Sequence, residues 1–271
     1  MLRRFVGWVE LVGDLRTLGV TLAVPRATAQ AMLPAGLELA DQELTGRDVH
    51  PVVLYFSQLQ NAWLRPFFLF PPPTNYFEHV IGVPYTRSKD RRCCGPNKGP
   101  FFYMPKLLLD SLLFTLGGRL VWGFDKDLAH FDEEHKTHTI GGTPRNKYTV
   151  RSRRTGEPLI ELAWEPTPQG KFVSVPKAEF FKDQREIMRQ PLISQQPFAA
   201  GPLFSCSDYD KDWETAEVQK IKTTTTIVKP YVTWLDAGEY SGPNGALGSF
   251  ELKAKWTLSL PYGCGRERTK K

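Results

Sequence analysis

Glycine and proline set the grain of this chain. There are 22 of each among 271 residues, and they divide it into runs of branched and aromatic residues. Such punctuation favours many turns and short strands over long helices. Residues 52–59, VVLYFSQL, read as a buried strand. Residues 75–84 alternate, with Tyr76, Glu78 and Val80 on one face and Phe77, His79 and Ile81 on the other. Residues 147–153 and 159–164 form a predicted hairpin around Thr155-Gly156. Further strands are expected at 5–24, 101–109, 120–129, 220–228 and 249–258, and short helices at 25–32, 111–116 and 178–189. No linker divides these segments. So many strand faces must bury one another, which predicts a mainly β (α+β) single domain over residues 1–265: a closed or nearly closed barrel with a few short helices. Residues 266–271 read as a solvated basic tail.

Composition narrows the function classes. The net charge of +6 is spread between that tail and the polar stretch 87–98, read as a loop. It suits small anionic partners such as carboxylates, and no basic helix or aromatic-basic motif points to nucleic acid. No apolar run reaches the roughly 18 residues of a membrane span, and the N-terminal run is broken by Glu10 and Asp14, unlike a signal peptide. Cys93, Cys94, Cys206 and Cys264 contain no C-x-x-C pair, so reduced thiols in a cytoplasmic protein are expected.

One lysine stands out. Lys126 enters an apolar and aromatic run, LLLDSLLFTLGGRLVWGFDKDLA, over residues 107–129. Burying an ammonium is costly and lowers its pKa, and a neutral amine attacks carbonyl carbon. Asp125 and Asp127 flank it. On a strand they would point to the opposite face. The same pattern also fits a solvated surface strand in which Lys126 does nothing.

Several segments resemble the acetoacetate decarboxylase-like superfamily. Leu109-Asp110 is similar to the end of its Y-L-D strand, Gly118-Arg119 to its Gly-Arg pair, and Gly123-Phe124-Asp125-Lys126 to its lysine segment. Tyr76-Phe77-Glu78 resembles its Y-x-E, and Met32-Leu33-Pro34 its early turn. The resemblance implies a cone-like antiparallel barrel with the active site inside. It also implies a Schiff base at Lys126, proton handling by Glu78, and substrate contacts from Tyr76, Arg119, Trp122 and Phe124. The chain departs from the pattern in four places. Asp127 stands where a second lysine is usual and Asp125 where a proline is. An arginine is replaced near Ala23, and a second glutamate near Ser57. Arg26 is the nearest stand-in for the missing arginine.

Weaker signals carry less. His130, His135 and His138 lie in HFDEEHKTH, whose spacing matches no strong zinc motif and reads as a solvated loop. Ser205-Cys206-Ser207 lacks a nucleophile elbow, and Lys98-Gly99-Pro100 lacks Walker spacing. No metal and no organic cofactor is expected, since an imine itself serves as electron sink.

Two functions follow from these residues. The first is a Schiff-base lyase, of decarboxylase or aldolase-dehydratase type. Its substrate would be a small oxo acid or a larger carbonyl compound met by Trp63, Phe67, Phe68 and Phe70, and the protein would be a homo-oligomer. The second is a non-catalytic small-molecule-binding protein on the same barrel.

Overall fold

The computed structural model describes residues 9–66, 73–89, 99–140, 143–168, 170–196, 204–241 and 246–264. Phe67, Phe68, Phe70, Cys93, Cys94 and the basic tail lie outside these residues.

Nine strands close a ring in which almost every neighbour in space is a neighbour in sequence. They are β1 (Glu10–Pro25), β2 (Val49–Arg65), β3 (Thr74–Ser88), β4 (Phe101–Leu109), β5 (Lys126–Ile140), β6 (Thr143–Ser152) and β7 (Pro158–Pro166), then β11 (Glu217–Ile227) and β12 (Ala246–Ser259). β12 returns to pair with β1 from Glu10↔Ser259 onward. Closure leaves no free edge. Three shorter strands, β8 (Leu192–Gln195), β9 (Phe204–Ser207) and β10 (Tyr209–Lys211), form a second circuit. β8 pairs with β4 and β9, and β10, one residue beyond β9, pairs with β12. The sheet β12–β1–β2–β3–β4 is thus common to both circuits.

That shared sheet explains why its strands are apolar on both faces. Along β2, Val53, Tyr55 and Leu59 join the core of the second circuit, while Val52, Leu54 and Phe56 join that of the nine-strand ring. The alternation expected for residues 75–84 is realised in β3. Tyr76 and Val80 face the second circuit, and Phe77 and Ile81 face the ring.

Around the ring one junction differs. β4 and β5 run parallel, with Leu107↔Lys126 in register, whereas every other ring pair is antiparallel. Parallel neighbours need a crossover of a dozen or more residues. Residues 110–125 supply it as helix α2 (Leu112–Gly117) and a π-helical turn, Gly118–Trp122, closed by Gly123 at φ 72°. The strand expected over 120–129 is corrected here: it begins only at Lys126. A short apolar run does not by itself distinguish helix from strand. The helices expected at 25–32 and 178–189 are α1 (Arg26–Ala31) and α3 (Lys182–Met188), the latter preceded by 3₁₀ turns.

Two further expectations are corrected. His130 and His135 sit on β5 rather than in a loop, and no metal-capable cluster exists among the described residues. Cys206 and Cys264, 58 positions apart in sequence, are joined by a disulfide. Reduced thiols were expected because that separation hides their proximity, which arises when Cys206 pairs with Tyr262 across adjacent strands. No described helix is long and apolar enough to cross a membrane.

Candidate active site

The second circuit encloses the chemistry. A cavity of about 340 Å³ lies between the shared sheet, the α2 crossover and β8–β10. That volume is in the usual range for small-molecule sites. Its walls are mostly apolar, with Trp122, Phe124, Trp256 and Leu258 among them. Leu113 and Val121 also line it and are 46% and 43% exposed, so the crossover forms its apolar mouth.

Lys126 projects into this space from the first residue of β5. It is 7% exposed, so the solvated-strand reading fails. Its placement follows from three local features. Leu107 and Leu109 of β4 pair with Lys126 and Glu78 respectively, which puts both side chains on the same face of the sheet, on the two strands that flank β4. Gly118 gives the lysine stem room: a Cβ there would lie 2.4 Å from Lys126 Cε and 2.9 Å from Nζ. Trp122, which closes the crossover, is fixed at both ends. Its indole N–H donates to Ser259 O at 2.8 Å, and its carbonyl accepts from Ser194 Oγ at 2.5 Å.

Asp125 and Asp127 point outward, as strand alternation requires. Asp125 takes a salt bridge from Lys106 at 3.1 Å, and Asp127 is bound by Lys106 and Arg119. Neither acts on the Lys126 ammonium. Burial pushes that ammonium's pKa down from its ordinary value, and Glu78, with its carboxylate 3.5 Å from Nζ, pulls the other way. The amine therefore has one carboxylate partner, in an apolar cavity where such a contact is little screened.

The remaining expected residues divide. Tyr76 lines the cavity and stacks on Phe114 of α2 at 4.3 Å between centroids. Trp122 and Phe124 line it as well, with the Lys126 ammonium 5.7 Å from the Phe124 ring centre. Arg119 does not. It lies on the outer face of the crossover, tied to Asp127. Arg26 does not line the cavity either. At the start of α1 its guanidinium donates to Leu39 O at 3.3 Å and faces Asp41. It cannot serve in place of the arginine missing near Ala23.

Sequence reasoning overlooked the far wall. Tyr209, Trp256 and Leu192 come from segments distant in the chain. It also overlooked Lys211. One signal was available: aromatic-Asp-Lys-Asp occurs twice, at 124–127 and again at 209–212. In both copies the lysine is 7% exposed and the aspartates are turned outward. Lys211 borders a smaller chamber of about 40 Å³, which shares Glu78, Met104, Leu192 and Tyr209 with the main cavity. Ser57, where the resemblance leads one to seek a second glutamate, lines this chamber too, its hydroxyl 2.8 Å from that of Thr17.

Comparison with known proteins identifies the family and the fold. The family model for acetoacetate decarboxylase matches residues 5–182, about two thirds of the chain. The fold is similar to that of the enduracididine biosynthesis enzyme MppR complexed with pyruvate. There the TM-score is 0.62 at 13% identity, with 94% of this chain and 89% of that one covered. It is also similar to an acetoacetate decarboxylase-like enzyme from Sphingomonas wittichii RW1, at TM-score 0.57 and 14% identity over 94% and 92% of the two chains. Acetoacetate decarboxylase from Legionella pneumophila aligns at TM-score 0.59 and 13% identity, over 94% and 86%. No curated protein sequence matches significantly.

Proposed function

The chain belongs to the acetoacetate decarboxylase family, and on that premise we propose that it is a lyase working through a Schiff base at Lys126. The observation that carries this reading is the isolation of the amine. It is buried, it has a single carboxylate neighbour, and it opens on an apolar cavity large enough for a carbonyl compound. The neutral Nζ adds to a ketone or aldehyde carbon and water leaves. The resulting iminium draws electrons from the adjacent C–C or C–H bond as that bond breaks. Glu78, close to Nζ, takes and returns the proton. The apolar walls and mouth favour a substrate with a hydrocarbon portion rather than acetoacetate itself.

A second reading, a non-catalytic binder of apolar molecules, is favoured by those same walls. Borohydride trapping separates the two. Protein incubated with a panel of oxo acids and aldehydes should acquire a reduced adduct that maps to Lys126 and disappears in Lys126→Ala. Folded protein that traps no carbonyl compound would leave the binding reading in possession.

A further inference from the structure

The exposed apolar side chains of this protein are gathered in one place. Among the described residues eight large hydrophobic side chains are well exposed. Five of them, Leu112, Leu113, Leu116, Leu120 and Val121, belong to the crossover, with exposures from 43% to 57%. Single leucines on a surface call for no explanation, whereas a cluster marks a contact site. The cluster has two rows. Leu112, Leu116 and Leu120 recur every fourth residue, so they share one side of the helical turns, and none of them lines the cavity. Leu113 and Val121, in the second row, form the cavity mouth.

The mouth constrains what can cover the outer row. A protein partner, or a second copy of this chain, seated on Leu112, Leu116 and Leu120 would lie against Leu113 and Val121 and obstruct entry. A lipid surface covers the same leucines and leaves the mouth facing hydrocarbon, the medium an apolar ligand prefers.

Charge points the same way. From Leu112 to Phe124 the crossover holds no acidic residue and one basic residue, Arg119. Asp125 and Asp127, which follow, are bound by Lys106 and Arg119. Val9 and Trp63 also line the cavity. The Arg65 guanidinium lies 5.5 Å from the Trp63 ring centre, and Glu10 stands opposite Arg65 in the β1–β2 register. The sequence that runs into Val9, MLRRFVGW, adds two arginines to Leu2, Phe5 and Trp8. Arginine with tryptophan and large apolar residues is the composition of segments that lie at the surface of anionic membranes. With a net charge of +6, two copies repel each other and an anionic bilayer attracts either one.

We propose that the crossover is a membrane-docking element. Its outer leucines enter the headgroup–acyl boundary of a bilayer that contains anionic phospholipid, and the cavity takes a hydrocarbon-bearing ligand from that layer. No spanning segment is required, because an apolar helix face sinks only about 5–10 Å into this boundary. Docking involves no imine, so it holds for a lyase and for a non-catalytic binder alike.

Vesicle flotation with the full chain tests it. Wild type, Leu116→Gln and the triple variant Leu112→Gln/Leu116→Gln/Leu120→Gln are mixed with vesicles of phosphatidylcholine and about 30% phosphatidylglycerol at physiological salt. Glutamine forms helix about as well as leucine and removes the apolar surface. Melting temperatures should therefore stay within a few degrees of wild type. Wild type should float with the vesicles. Affinity should fall about threefold or more in Leu116→Gln and about tenfold or more in the triple variant. Should the triple variant fail to fold, Leu116→Gln decides alone. The proposal is overturned if folded wild type does not float, or if a folded variant floats as wild type does. It is also overturned if sedimentation without lipid shows a wild-type oligomer that the variants dissociate and that binds no vesicles. Failure of borohydride trapping beside intact flotation would remove the lyase reading and leave docking in place.

Discussion

Glu78 and Lys126 face each other from the two strands that flank β4, their charged ends 3.5 Å apart. The pair sets two opposed influences on one amine. Burial lowers the pKa of Lys126, and the carboxylate raises it. Glu78→Gln keeps the shape and removes the second influence. The pH at which imine trapping reaches half its maximum should move to lower pH. Any turnover that needs proton transfer should fall about a hundredfold or more. A trapping profile that stays in place or moves upward would show that Glu78 does not act on this amine.

Gly118→Ala tests how the amine is aimed. The added methyl would overlap the stem of Lys126 at Cδ and Cε, while Gly118 itself has ordinary helical dihedrals (φ −63°, ψ −38°). The flexible stem should give way before the backbone does. Imine trapping should drop about tenfold or more with the melting temperature within a few degrees of wild type. Undiminished trapping would mean that the lysine can react from another rotamer.

Much of the fold was legible in the sequence and half of the site was not. β2, β3 and the β6–β7 hairpin follow from runs and alternations that any strand must satisfy. Lys126 was detectable because a lone cation in an apolar run is costly. The helix expected at 111–116 is α2, but the second half of the crossover was misread as strand from residue 120, because GRLVW is a short apolar run, and what fixes it as helix is the parallel junction it has to span. The far wall was unreadable for a topological reason. Leu192, Tyr209 and Trp256 meet Lys126 only once the second circuit has closed, and no local pattern encodes that closure. The repeated aromatic-Asp-Lys-Asp at 209–212 was the single exception.

Lys211 should make stability depend on pH. Its folded pKa of about 7 lies below the 10.5 of an ordinary lysine. Between those values the unfolded chain holds a proton that the folded chain lacks, so stability rises with pH across that window. The cost is fully present below about pH 7. Lys211→Met removes it. Relative to wild type, the variant should gain most at pH 6, by a few kcal/mol before the loss of two hydrogen bonds, and the gain should shrink toward pH 10. Denaturant titrations at both pH values would check the slope, and a difference independent of pH would count against a buried, shifted lysine.

Two buried histidines should dominate the acid side. Burial pushes His79 down to about 3 and His50 to about 4. Both are neutral in the folded protein at pH 5, whereas the unfolded chain protonates them below about 6.5. Stability should therefore fall as pH drops below 6.5. Unfolding at pH 5 should take up roughly one proton per histidine. Calorimetry in buffers of different ionisation enthalpy counts those protons, and His79→Asn should remove about one. An unchanged count would mean that His79 is charged in the folded state.

The family match ends at residue 182, inside the second circuit rather than at a boundary between folding units. Glu78 and Lys126 fall before that point, while Lys211, Trp256 and Leu258 come after it. The cavity wall is thus written in two different stretches of the chain, brought together by the pairing of β12 with β1. The later stretch also holds Trp122 at both ends, through Ser194 and Ser259, so the wall it contributes and the crossover that positions Lys126 are mechanically one piece.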